Sequence, residues 1–127
     1  KLLALRLRAL AAEVTVAARK EGDRAMAQAL GLAAADFPDL PALLGSFDFV
    51  VNTVPARVLP AEALARLRPD VLLLELASSP GGFDPQEAAE LGLTALSAPG
   101  LPGVTAPYTA AALMRDAIRS VIQEREE

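Results

Sequence analysis

The chain has 127 residues, 53% hydrophobic and 22% charged, with a formal net charge of -4 and a pI near 4.8. That is the size of one domain, far from a disordered composition, and the acidic balance argues against nucleic acid as a partner. Cysteine and histidine are both absent. This excludes a disulfide framework, zinc–thiolate and imidazole metal sites, and Ser-His or Cys-His catalysis.

Any acid–base chemistry must therefore use carboxylates, Lys, Tyr108, water or a cofactor. No metal-ligand spacing is visible, so no metal is expected. The lack of cysteine fits a reducing, cytoplasmic compartment. No run approaches the ~18 apolar residues of a membrane span. Arg6 and Arg8 interrupt the only leader-like stretch.

Residues 1–11 are rich in Leu, Ala and Arg, and Leu3, Leu7 and Leu10 share one helical face. No cap residue starts this helix, and the chain does not begin with Met. It is expected to start inside a larger protein. Val14 to Ala18 reads as a short buried strand. Residues 22–31 read as a helix ending at Gly31. Leu32 to Asp36 reads as an edge strand, followed by a helical turn around residues 40–45. Phe47 to Asn52 is a β-rich run, and residues 61–67 form a short helix after Pro60.

Val71 to Leu76 is the strongest strand. Asp84 is an N-cap with Pro85 behind it, and that helix ends near Gly92. Thr94 to Ser97 is the next strand, and residues 108–125 form the longest helix. Its Leu and Ala stripe reads as core or subunit interface. Strands and helices alternate, and the strands are nearly continuous in apolar residues. That pattern predicts an α/β fold with a Rossmann-like, doubly wound parallel sheet.

In such sheets ligands bind at the carboxyl ends of the strands. Two Pro-Gly segments fall there: Leu76-Ala77-Ser78-Ser79-Pro80-Gly81-Gly82 and Ala98-Pro99-Gly100-Leu101-Pro102-Gly103. Gly permits close ligand approach and Pro fixes the path, so both loops can present main-chain groups to a ligand. They also read as ordinary βα turns. Asn52-Thr53-Val54-Pro55 can contact ribose hydroxyls, or simply form a turn. Arg19 and Lys20 end the strand at 14–18, where NADP-binding sheets place cations for the 2′-phosphate. Taken alone, that pair reads first as an exposed charged turn. Glu75 stands out inside an apolar strand. It is expected to face an edge or pair with an Arg, ahead of any catalytic role.

Together these segments resemble the C-terminal dinucleotide-binding domain of the dipicolinate synthase A-subunit family, found in spore-forming bacteria. The resemblance covers nearly the whole chain. It rests on Val14 to Arg19, Asn52 to Pro55, Leu76 to Gly82, and Ala98 to Gly103 followed by Ala106-Pro107 and Thr109-Ala110. It implies an NAD(P)-dependent oxidation of dihydrodipicolinate to dipicolinate during sporulation, carried out with a second polypeptide, the B subunit of dipicolinate synthase.

With the resemblance, the reading of Arg19 and Lys20 turns to NADP, with NAD as the alternative. Thr53, Val54, Pro55, Ala77 and Ser78 would line the cofactor cleft beside Asn52. Pro80, Gly81, Gly82, Pro99, Gly100, Leu101, Pro102 and Gly103 would face the nicotinamide or a small dicarboxylate substrate. No catalytic acid or base carries over. Val104 and Tyr108 stand where basic residues are expected, so the cations for a dicarboxylate would come from elsewhere.

The resemblance makes residues 1–127 a single dinucleotide-binding domain. It places the family's first strand and Gly-rich phosphate loop before Lys1. In the strand order 3-2-1-4-5-6 that strand is central. The strands at 14–18 and 47–52 are then expected either to pair directly or to leave a poorly folding piece that binds dinucleotide weakly. Two alternatives stand beside this reading. One is the nucleotide-binding part of another dehydrogenase, of the 2-hydroxyacid or shikimate type. The other is a non-catalytic module that binds a partner through its last helix.

Overall fold

A computed structural model describes residues 2–109, 111, 112, 114–116 and 123. Helices and strands alternate among these residues: α1 (Leu2–Ala9), β1 (Thr15–Ala17), α2 (Glu21–Ala29), β2 (Ala33–Ala35), α3 (Leu40–Leu43), β3 (Phe49–Asn52), α4 (Ala61–Leu64), β4 (Leu72–Glu75), α5 (Pro85–Glu90), β5 (Thr94–Ser97) and α6 (Leu101–Thr105). Single 3-10 turns flank α3. Every strand pairing is parallel. The α/β reading and most element positions therefore hold. The expected helix at 108–125 falls largely outside the described residues.

Two helices end the same way, and their sequences say why. α2 runs out through Leu30-Gly31-Leu32, and α5 through Leu91-Gly92-Leu93. Gly31 and Gly92 take φ of 73° and 72°, a conformation that costs glycine nothing. Gly31 N–H then bonds the Gln28 carbonyl and Leu32 N–H the Ala27 carbonyl; Gly92 and Leu93 repeat this with Ala89 and Ala88. Each pair of bonds closes a Schellman cap. Leu32 and Leu93 are buried beside Ala27 and Ala88. The cap thereby delivers the chain directly into β2 and β5.

At the other end of α5, the Asp84 carboxylate accepts from Gln86 N–H at 2.9 Å, with Pro85 at the first helical position. This is the N-cap that the sequence predicts. The hydrophobic core lies against β3–β4–β5, with Leu44, Leu64 of α4, Val71 and Leu73 fully buried.

The strands form two ladders, β1–β2 and β3–β4–β5. No ladder joins β1 to β3 among the described residues, so direct pairing, one of the two expected outcomes, is not the one found. α2 packs on β1 and β2, and α5 packs on β5. Each ladder is thus fixed by its own helix. The break falls at the switch point of the doubly wound order.

Candidate functional site

Parallel pairing sends the chain out of β3, β4 and β5 at the same edge. In the β3–β4 register, Asn52 stands directly opposite Glu75 as the last pair of the ladder. β4 alternates half-buried and buried, so Glu75 shares the buried face with Leu73. The sequence thus ends two apolar strands on facing polar groups, both on the inside. Asn52 is 5% exposed and Glu75 7%. A buried carboxylate is costly unless it is fully hydrogen-bonded.

It is fully bonded here. Asn52 Nδ2 donates to Glu75 Oε1 at 2.8 Å and to Oε2 at 3.0 Å. Ala77 N–H donates to Oε1 at 2.8 Å, and Gly82 N–H donates to Oε2 at 2.7 Å. All four contacts use Glu75 as an acceptor, the role of an ionised carboxylate. Its partners are an amide and two main-chain groups, not the edge or the Arg that the sequence suggests. Asn52 is equally committed, since Nδ2 also donates to the Val54 carbonyl and Oδ1 accepts from Val54 N–H.

Glycine is required where the loop turns over this carboxylate. Gly81 has φ of 81° and lies against Glu75 Oε2. At Gly82 a Cβ would overlap the Asn52 amide. The Gly82 carbonyl accepts from Val58 N–H at 3.0 Å and from Leu59 N–H at 2.8 Å. Arg57 adds ion pairs to Asp84, at 3.7 Å, and to Glu87. The loops at 53–59 and 76–84 therefore form one stitched unit. The Ser79–Pro80 peptide within it is cis.

The predicted residues divide accordingly. Asn52, Ala77, Gly81 and Gly82 are buried in the stitching, whereas Thr53, Pro55, Ser78 and Pro80 are exposed and Val54 is half-buried. The main-chain N–H groups of Ser78 and Ser79 have no acceptor within the chain, among the described residues. Two adjacent exposed donors and two hydroxyls suit a carbonyl, phosphate or carboxylate oxygen.

Pro99 and Gly100 lead out of β5, joined to β4 through Ala98 N–H and the Glu75 carbonyl at 2.8 Å. Leu101 and Gly103 belong to α6. The second Pro-Gly segment thus opens a short helix instead of remaining a loop throughout. Pro102 is within the same helix. Val104 and Tyr108 are exposed.

Arg19 and Lys20 are exposed at the end of β1. The turn that carries them is held by Arg24, which no sequence motif singles out. Arg24 Nη1 donates to the Ala18 carbonyl at 2.8 Å and the Arg19 carbonyl at 2.7 Å, and pairs with Asp36 at 3.1 Å. Arg24 is consumed in shaping the turn. The Arg19 and Lys20 side chains remain outward, available to an anion.

The opposite edge of the sheet differs in kind. Arg68 bonds Asp70 through both Nε and Nη2, at 3.0 and 2.6 Å, and reaches Asp48 at 2.8 Å. The hydrogen bonds that Arg68 donates to Asp70 raise the Arg68 pKa and lower the Asp70 pKa. This cluster is fully at the surface and ties the amino ends of β3 and β4.

No family model matches the chain. Over 116 residues it is 36% identical to the A subunit of dipicolinate synthase from Bacillus subtilis, covering 91% of this chain and 39% of that protein. The chain is homologous to the dipicolinate synthase A subunit.

A crystal structure of dipicolinate synthase, A chain, from Bacillus subtilis superposes with a TM-score of 0.86 at 35% identity, covering 99% of this chain and 43% of that one. The dipicolinate synthase A subunit from Bacillus halodurans gives 0.84 at 34% identity, over 94% and 41% of the two chains. The chain thus spans about two fifths of the length of these relatives. The 99% coverage takes in both ladders and both stitched loops. A quinone oxidoreductase of Thermus thermophilus, solved also with NADPH, gives 0.61 at 23% identity over 91% of this chain and 38% of its own. That last likeness is one of fold. No helix among the described residues is long and apolar enough to cross a membrane.

Proposed function

We propose that this chain is the pyridine-nucleotide-binding part of a cytoplasmic oxidoreductase of the dipicolinate synthase type, acting on dihydrodipicolinate during sporulation together with a second polypeptide, the B subunit. The observation that carries this reading is the homology to the dipicolinate synthase A subunit over nine tenths of the chain. The parallel strand ends and their stitched loops support it, because a doubly wound sheet binds dinucleotides at that edge.

In this reading Arg19 and Lys20 hold the adenosine 2′-phosphate, which favours NADP over NAD. Thr53, Val54 and Pro55 line the cleft. The Ser78 and Ser79 N–H groups, with Pro80, Pro99 and Gly100, meet the nicotinamide end and the dicarboxylate. A bound pyridine nucleotide supplies the hydride acceptor; the protein's part is to orient it and exclude side reactions.

The test uses the full-length polypeptide with its second subunit. Dihydrodipicolinate and NADP⁺ should yield dipicolinate and NADPH, followed by absorbance of the reduced nucleotide. An equal supply of NAD⁺ should react more slowly. Failure to bind either nucleotide overturns the reading.

A further inference from the structure

The Glu75–Asn52 pair does more than satisfy two buried groups. Glu75 reaches three segments at once: the last residue of β3 through the Asn52 amide, the start of its own loop through Ala77 N–H, and the end of that loop through Gly82 N–H. Asn52 in turn fixes Val54, the second residue of the neighbouring loop, by donating to its carbonyl and accepting from its N–H. Between the two Glu75 attachment points, Ser78 to Gly81 makes one internal main-chain hydrogen bond among the described residues, Gly81 N–H to the Ser78 carbonyl at 3.0 Å. The exposed donors at Ser78 and Ser79 therefore take their position from Glu75.

Resting on the proposed nucleotide-binding role, we infer that Glu75 and Asn52 are positioning residues for the nicotinamide half of the site. They touch no ligand. The carboxylate fixes the separation of the 53–55 and 78–80 segments, so the cleft is already shaped before the cofactor arrives. The adenosine half is set separately, by Arg24 of α2, which holds the turn after β1 of the other ladder. Loss of the latch should therefore weaken one half of the dinucleotide and spare the other.

Glu75→Gln exposes the device, because the new amide donor must face Ala77 N–H or Gly82 N–H, and two donors cannot bond each other. Asn52→Ala removes the cross-strand donor and leaves both main-chain bonds to Glu75. Binding of NADPH and of 2′,5′-ADP, which carries only the adenosine half, is measured by calorimetry on the full-length polypeptide. In both variants the NADPH dissociation constant should rise at least about tenfold, as for loss of a hydrogen bond to a charged group. That for 2′,5′-ADP should stay within about twofold of the unsubstituted protein. Equal loss for both ligands, no loss for either, or disappearance of the folding transition in both variants overturns the inference. If the unsubstituted protein binds 2′,5′-ADP and NADPH equally well, the inference also falls while the nucleotide-binding reading stands. If it binds neither, both fall.

Discussion

Gly82 N–H lies 2.7 Å from Glu75 Oε2, while its Cα leaves no room for a side chain beside the Asn52 amide. One glycine is thus held by both members of the buried pair. Gly82→Ala should force the Asn52 side chain or the loop to shift, at about 1–3 kcal/mol. Urea unfolding measures this as a lowered midpoint with an unchanged slope. An unaltered midpoint would show that the loop yields without cost.

Arg19→Ala should reduce NADP(H) affinity by roughly tenfold to a hundredfold, the loss of a charge-assisted bond to phosphate. NAD(H) binding should be unaffected. Fluorescence titration with both nucleotides checks the contrast. Equal weakening of both would place Arg19 away from the 2′ position.

The Asp70 carboxyl should titrate below its ordinary value of 3.8, because Arg68 bonds its charged form. A folded value below the unfolded one stabilises the protein above the unfolded range. That contribution is lost as pH falls through the folded value. The side-chain carbon shift of Asp70 followed over acid pH reads the midpoint, and Arg68→Ala should return it upward. A midpoint at or above 3.8 contradicts the pairing.

Leu73→Ala should cost about 2–5 kcal/mol, since Leu73 is 0% exposed at the centre of the core. Leu96→Ala, on the adjacent strand but exposed, should change stability by less than ~0.5 kcal/mol. Thermal unfolding of the two variants distinguishes them. Similar costs would place the core elsewhere.

Much of this architecture is legible in the sequence for local reasons. Leu-Gly-Leu after two helices dictates a left-handed residue and a buried leucine, and both caps form as the chemistry demands. Asp84-Pro85 starts α5 for an equally local reason. The site is less legible because it depends on register. Asn52 and Glu75 are 23 residues apart, and only the parallel pairing of β3 with β4 sets them face to face. The available signal is a polar residue ending each of two apolar strands. Glu75 stands out in the sequence, but its partner cannot be named without the ladder. Arg24 and Arg57 are silent in the sequence for the same reason, since their partners lie across turns. Direct β1–β3 pairing, one of the two outcomes expected, does not form among the described residues, where β1 pairs with β2 and β3 with β4.

Binding of pyridine nucleotide at the carboxyl edge of the sheet should be visible in the amide chemical shifts of the isotope-labelled full-length polypeptide. Adding NADPH should move the Thr53, Ser78 and Ser79 amides, together with Arg19 and Lys20, and leave Asp48 and Asp70 in place. Shifts confined to the amino-terminal edge, or none at saturating nucleotide, would rule out a nucleotide site at the carboxyl edge.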